Sequence, residues 1–540
     1  MRRAAFWIAA LLPAAASLAA PPVDEDWQAA GRRAVAEARA LTPSGHAAKN
    51  AILFVGDGMG VATVTAARIL DGQLRGKSGE ENLLSFERLP YVALSKTYNS
   101  NQQVGESAGT MTAMVTGSKT RAGVLSVDSS VPIGDHRAVK GHELVTLFER
   151  AEQRGLATGV VTTTTITHAT PGACYAHVPD RNWESDARLS DAARADGFPD
   201  IARQLVEFRA GDGIDVAFGG GRAFFLPETA QDPEYPEQHG ERKDGRDLRN
   251  EWLARAPGRR FVWDQAGFAA LDPAATRQVL GLFEPSHLHF ETQRAQDAAG
   301  EPSLAEMAGK AVELLRRNPK GFVLMVEGGR IDHGHHAGSA YLALHEAVEF
   351  SQAVEAVLAK VDRKDTLVVV TADHSHTLTF AGYPQRGNPI LGLVVPPDAK
   401  GDPSTKPATD LAGRPYTTLG YANGPGYPGA TDQQPAGPKR FPHHPTKMSG
   451  TSAERPDLRD VDTQSPTYLQ ESAVPLGSET HGGEDVAIYA GGPGAELFHG
   501  VQEQSYVYHA IVAALGWPAS GEAARSEPKA SGDQKSGPVR

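Results

Sequence analysis

Three short apolar runs punctuate the chain, and each ends at an acidic residue. They are Ala51-Ile52-Leu53-Phe54-Val55-Gly56-Asp57, Phe322-Val323-Leu324-Met325-Val326-Glu327 and Thr366-Leu367-Val368-Val369-Val370-Thr371-Ala372-Asp373. Unbroken apolar runs of this length, bounded by Gly or polar residues, predict strands buried on both faces, as in a parallel sheet. Residues 159–164 predict another strand and residues 142–154 a helix before it. Residues 24–41 carry apolar positions at helical spacing and end before Thr42-Pro43-Ser44-Gly45, which predicts one exposed amphipathic helix. The β/α alternation runs to about Gly221. Residues 227–300 are polar and charge-rich and predict a surface region outside the sheet. The fold class is therefore α/β, a large central mostly parallel sheet flanked by helices.

A composition shift divides the chain further. Residues 382–479 are rich in Pro, Gly, Thr and Asp, with few long apolar runs, and predict an insertion of loops and short strands. The expected division is a signal peptide at 1–20, an N-terminal helix arm at 21–48, a catalytic core at 49–381 and 480–518, the insertion at 382–479, and a disordered tail at 519–540. The signal rests on Arg2-Arg3, the apolar run that follows, and small residues up to Ala20. It places the mature chain in the periplasm or outside the cell. No hydrophobic C-terminal tail suggests a lipid anchor.

With 65 acidic against 53 basic residues and a formal net charge of −12, the chain is a poor candidate for a nucleic-acid binder. The single cysteine, Cys174, forbids an intrachain disulfide and reads as a small buried residue.

The chemistry lies at the strand ends, where ligands bind in open α/β sheets. Asp332 and His336 are four apart after a strand and a Gly-Gly turn, so a helix there would put both on one face. Asp373 and His374 adjoin at another strand end, Asp57 sits between two glycines, and His481 precedes the apolar Val486 to Tyr489. Each alone reads as a solvated loop residue; together they form a donor set suited to zinc. Ser107, in Gly105-Glu106-Ser107-Ala108-Gly109-Thr110, reads as the start of a helix, whose free amides attract anions. His168 and Thr170 follow the strand at 159–164 and, on extended chain, would face one way. Arg181 offers a planar fork for phosphate. His443 and His444 in the insertion admit an extra metal, but a solvated polar loop is the better reading of them.

Taken in order, Gly56-Asp57-Gly58-Met59-Gly60, the Ser-Ala-Gly-Thr after Glu106, the Glu-Gly-Gly-Arg-Ile-Asp-His-Gly-His-His from Glu327, Thr-Ala-Asp-His-Ser-His from Thr371 and Thr-His-Gly-Gly-Glu-Asp from Thr480 resemble alkaline phosphatase. The likeness is closest to the branch that includes the animal enzymes, because His168 and His333 stand where some bacterial relatives carry Asp and Lys. The resemblance implies one zinc at Asp332, His336 and His481, and a second at Asp57, Asp373 and His374 beside the nucleophile Ser107. It implies a magnesium at Asp57, Thr170 and Glu327 near His168, and a phosphate clamp at Arg181. It also implies a calcium at Glu234, Glu284, Glu301 and the backbone of Phe283, a crown-like role for the insertion, and a homodimer embraced by the N-terminal helix.

The implied reaction is hydrolysis of small phosphate monoesters through a phosphoserine, released by a zinc-bound hydroxide, with net retention at phosphorus. The need to activate a weak serine nucleophile by metal agrees with it. Glu106 departs from the Asp that usually precedes the nucleophile, and its longer arm is expected to move Arg181. The insertion also looks longer than in animal relatives. The competing readings are a relative acting on diesters, sulfate esters or phosphonates, and an idle phosphate- or metal-binding protein. The serine, arginine and full ligand set favour the monoesterase.

Overall fold

The computed structural model describes residues 27–450 and 454–518. The expected signal peptide and C-terminal tail lie outside the described residues. Ten strands form the main sheet: β1 (Asn50–Gly56), β2 (Tyr91–Lys96), β3 (Ala157–Thr165), β4 (Val216–Gly220), β5 (Arg259–Val262), β6 (Gln278–Leu282), β7 (Phe322–Gly328), β8 (Thr366–Ala372), β9 (Val486–Gly491) and β10 (Val501–Glu503). Their order across the sheet is β10-β2-β9-β8-β1-β7-β3-β4-β6-β5. All run parallel except β9, which pairs antiparallel with both β8 and β2.

The centre of the sheet is β8-β1-β7, in register from Asn50 to Gly56 against β8 and from Ala51 to Gly56 against β7. Alternate residues of each strand enter different cores, which is why the runs are unbroken in sequence. Leu53, Val55, Met325 and Val369 pack on one face with Met111, Met114, Leu147 and Phe148. Ile52, Phe54, Leu324 and Val370 pack on the other with Ile69, Met307, Val312, Leu344 and Phe350. Each such side chain, fully buried, contributes about 1.5–3 kcal/mol. The parallel register aligns the carboxyl ends of the central strands along one edge.

The structure corrects three expectations. Residues 227–300 do not stay outside the sheet, for they supply β5 and β6 at its edge. These strands are short, and Arg259 and Gln278 interrupt the apolar pattern by pairing with each other at 2.6 Å. The helix expected over 142–154 spans only Leu147–Gln153, because Thr146 caps it, accepting from the Glu149 amide at 3.1 Å. His168 and Thr170 are not on extended chain: His168 precedes the short helix Ala169–Gly172, which carries Thr170.

The N-terminal helix is present as Trp27–Ala40 and buries none of its residues. Residues 382–479 are mostly irregular; Leu419–Gly424 pairs with Leu378–Phe380 and with Ser472–Pro475 in a small three-stranded sheet. Cys174 is fully buried. No described helix is long and apolar enough to cross a membrane.

Candidate active site

Asp57 leaves β1 and Asp373 and His374 leave β8, all three fully buried. Gly58 makes this approach feasible, since its φ of +69° suits glycine and an added Cβ would lie 2.4 Å from the His376 ring. Its amide and that of His374 each donate to Asp373 Oδ1 at 3.0 Å, leaving Oδ2 turned 3.4 Å from His374 Nε2. Asp57 Oδ1 lies 3.2 Å from the same nitrogen. Ser107 Oγ, at the first position of the helix Ser107–Thr116, lies 3.2 Å from His374 Nε2 and 3.4 Å from Asp57 Oδ1. A tetrahedral zinc with bonds of about 2.0–2.1 Å sets neighbouring ligands ~3.4 Å apart. The serine oxygen therefore stands at ligand spacing from two members of the group.

A second triangle lies beside it. The helix Arg330–His336 follows β7 and puts Asp332 and His336 one turn apart. His481 enters through a two-residue strand, His481–Gly482, paired with Ser375–His376. Asp332 Oδ1 is 3.4 Å from both His336 Nε2 and His481 Nε2, and those two nitrogens are 3.1 Å apart. The Nδ1 atoms instead face backbone carbonyls, His336 that of Glu479 at 2.5 Å and His481 that of Gly105 at 2.9 Å. Such donation fixes the tautomer and leaves each Nε2 lone pair free for a cation.

The third group is marked by missing partners. Asp57 Oδ2, Glu327 Oε1 and Thr170 Oγ1 are buried without hydrogen bonds. Carboxylate oxygens of Asp57 and Glu327 lie within 4.8 Å of each other, with His168 beside them and Thr170 next to Glu327, and because unpaired buried oxygens are costly this group fits a hard cation. Glu327 Oε2 is held by Thr162 and Thr164 from β3.

Electrostatics agree. Burial, then repulsion from Asp373, Asp332 and Glu327, pushes the Asp57 carboxyl well above its ordinary value. Burial raises Glu327 to about 7. Burial lowers His374 and His336, which stay neutral imidazoles. Burial would raise Asp332 too, but His336, His376 and His481 outweigh it and hold it well below the usual range. The donor set of carboxylates and neutral imidazoles suits divalent cations.

Arg181 donates from Nη1 to Glu106 Oε2 at 2.8 Å, and its Nη2 lies 3.0 Å from His168 Nε2. His168 and His333 pack edge to face, with ring centroids 5.7 Å apart. Sequence reasoning missed the third ring there, His287, whose centroid lies 4.5 Å from that of His333. It also missed His376 and Glu479. His376 Nε2 lies 2.7 Å from Asp332 Oδ1, and its Nδ1 lies 2.5 Å from Glu479 Oε2. The second histidine of Asp-His-Ser-His and the glutamate opening Glu-Thr-His were the available signals.

The residues nominated for calcium also gather. Glu284 and Glu301 are buried, Phe283 immediately precedes Glu284, and Glu234 contacts Arg222 at 3.0 Å. His289 and Asp297, not foreseen, join this group. In the insertion, His443 Nδ1 lies 2.9 Å from the Pro425 carbonyl and Nε2 2.9 Å from Thr431 Oγ1, so its ring is already committed. His444 is exposed.

Residues 48–517 match the profile of the family described as alkaline phosphatase. Alkaline phosphatase from Gadus morhua is 45% identical over 469 residues, covering 86% of this chain and 91% of its own. The tissue-nonspecific isozyme of Gallus gallus is 46% identical over 470 residues, covering 86% and 84%. Among solved structures, Thermus thermophilus alkaline phosphatase superposes with a TM-score of 0.60 at 25% identity, covering 88% of this chain and 93% of its own.

Proposed function

The chain belongs to the alkaline phosphatase family and is a phosphoric monoester hydrolase, and we propose that Ser107 is its nucleophile at a centre for two zinc ions and one magnesium. The observation that carries this reading is the placement of Ser107 Oγ at ligand distance from both His374 Nε2 and Asp57 Oδ1. Asp57, Asp373 and His374 would hold one zinc, Asp332, His336 and His481 the other, and Asp57, Thr170 and Glu327 the magnesium. When bound, these ions supply positive charge that lowers the pKa of hydroxyls beside them and stabilises phosphoryl oxygens.

The protein's own residues do the rest. Arg181 binds two non-bridging phosphate oxygens through its planar fork and orients phosphorus toward Ser107. Glu106 holds the Arg181 guanidinium and also accepts from the amides of Ala108 and Gly109, so the free amides expected at the start of this helix are capped by that carboxylate. Ser107 Oγ gives its proton to solvent and attacks phosphorus, the P–O ester bond breaks, the departing oxygen takes a proton from water to leave as the alcohol, and a phosphoserine forms. Water attacks the phosphoserine from the opposite side and releases inorganic phosphate. Two in-line displacements leave phosphorus with retained configuration. His168, 3.0 Å from Arg181, backs the guanidinium.

We assign the working form as an exported homodimer. The helix Trp27–Ala40 buries none of its residues and leaves Trp27 62% exposed, which supports that reading. The basic and apolar N-terminal segment supports export to the periplasm or beyond.

The test is hydrolysis of a chromogenic phosphate monoester against pH, by wild type and Ser107→Ala, after chelation and after zinc and magnesium are restored. Acid quenching with mass spectrometry should find phosphate on Ser107 in wild type alone. Full turnover by Ser107→Ala would overturn the assignment.

A further inference from the structure

The group formed by Glu234, Glu284, Asp297 and Glu301 differs from a calcium site in one respect: an imidazole points into it. His289 Nδ1 lies 3.5 Å from Glu284 Oε1 and 3.5 Å from Glu301 Oε1. At that separation the ring makes no good hydrogen bond to either, and Nδ1 is buried without a partner. Glu301 Oε2 and both carboxylate oxygens of Asp297 are buried and unpartnered as well, and Glu301 is only 2% exposed. Ligand atoms of Glu284, His289 and Asp297 all lie within 4.8 Å of one another. Arg222 compensates part of the negative charge, through Glu234.

We propose that this peripheral cluster takes zinc rather than calcium, with His289 Nδ1 as a ligand beside Glu284, Glu301 and Asp297. Calcium seeks six to eight oxygens at about 2.3–2.6 Å in a loose shell, and imidazole is a poor donor to it. A mixed set of one imidazole and several carboxylates is what zinc accepts in four-coordinate sites. The 3.5 Å nitrogen–oxygen separations are close to the ~3.4 Å edge of a tetrahedral zinc shell. The same observations explain why unpaired acceptors persist in a buried pocket: without a cation, two glutamates and an aspartate would face each other there.

None of these residues belongs to the Ser107 centre, so the two readings fail separately. The full chain, stripped by chelation, would be reloaded with zinc and magnesium in the presence of excess calcium. Anomalous diffraction at the zinc edge should place zinc within the cluster, and elemental analysis should find one equivalent more than the Ser107 centre holds. His289→Gln should lose that equivalent, weakening zinc there at least ~10-fold, while phosphomonoester hydrolysis persists. Calcium or no ion in the cluster would overturn the proposal, as would zinc held equally well by His289→Gln. If that variant fails to fold, the anomalous map of wild type decides alone. Loss of hydrolysis with zinc still seated in the cluster would count against the Ser107 assignment and leave this one standing.

Discussion

Glu106 and Arg181 are joined at 2.8 Å, and the same carboxylate caps the helix that begins at Ser107. Oε1 accepts from the amides of Gly109 and Gly123 at 2.8 and 2.7 Å, and Oε2 accepts from Ala108 at 3.2 Å as well as from Arg181. One side chain thus locks the helix of the proposed nucleophile to the proposed phosphate clamp. The longer arm does not leave Arg181 unpartnered; it reaches both.

Removing that carboxylate should therefore act on substrate binding first. Glu106→Gln keeps acceptor capacity for the helix but loses the charge that orients Arg181. Its KM for a phosphate monoester should rise ~10-fold, the loss of about 1.4 kcal/mol of charge-assisted binding, with kcat changed less. Glu106→Ala removes one partner of the half-buried Arg181 and the cap of the helix that begins at Ser107, and should cost about 1–2 kcal/mol in stability. Steady-state kinetics and denaturant melts check both; an unchanged KM in Glu106→Gln would show that Arg181 is held by something else.

Chelation should destabilise the fold as well as stop turnover. Asp57, Asp332, Asp373 and Glu327 are all at most 4% exposed and crowd one pocket, where burial raises three of them. A cation held at a thousandfold excess over its dissociation constant contributes about 4 kcal/mol to folding. Calorimetry should show a lower melting temperature after chelation, restored by zinc and magnesium. Identical melts with and without metal would contradict the metal assignment.

The main strands were legible for a simple reason. β1, β7 and β8 are buried on both faces, so their sequence is largely apolar until the acidic residue at or near the carboxyl end. The edge strands β5 and β6 carry Arg259, Arg260 and Gln278, and so read as surface chain. Asp332 with His336 was legible because helical spacing puts both on one face. His376 and Glu479 were not, since their partnership spans 103 residues and is made by strand pairing that no local period announces. His289 and Asp297 sit in polar chain where neither spacing nor resemblance nominated them.

The Glu479–His376–Asp332 chain supplies a test of that hidden layer. Glu479 Oε1 also accepts from Thr377 N and Oγ1, each at 2.6 Å, so the carboxylate is fixed before it meets the ring. Glu479→Gln should weaken the ion at Asp332, His336 and His481 by about 10–100-fold. Gly58→Ala should act from the other side of the ring, because its Cβ would strike His376 and its φ is strained for alanine, at about 1–3 kcal/mol. Zinc titration of the chelated variants checks both, and wild-type affinity in each would remove His376 from the account.

A last prediction concerns pH and lies away from the metals. His177 Nε2 is 3.3 Å from Glu149 Oε1, and Nδ1 is 2.8 Å from the Ser126 carbonyl. Burial would lower the imidazole, but its bond to Glu149, the Glu149 charge and the Ser126 carbonyl raise it above 6.5. Burial would raise Glu149, but His177 and the Thr146 amide hold it below 4.5. A raised histidine contributes stability that is complete below its unfolded value and is lost as pH climbs through the folded one. A depressed glutamate contributes stability that is complete above its unfolded value and is lost as pH falls through the folded one. The pair is thus strongest between about pH 4.5 and 6.5, below the alkaline range in which the enzyme is expected to work. His177→Gln should cost about 1–3 kcal/mol at pH 6 and much less at pH 9.5. Thermal melts of both proteins at the two pH values decide it: an equal penalty at both would mean that packing, not charge, is what His177 provides.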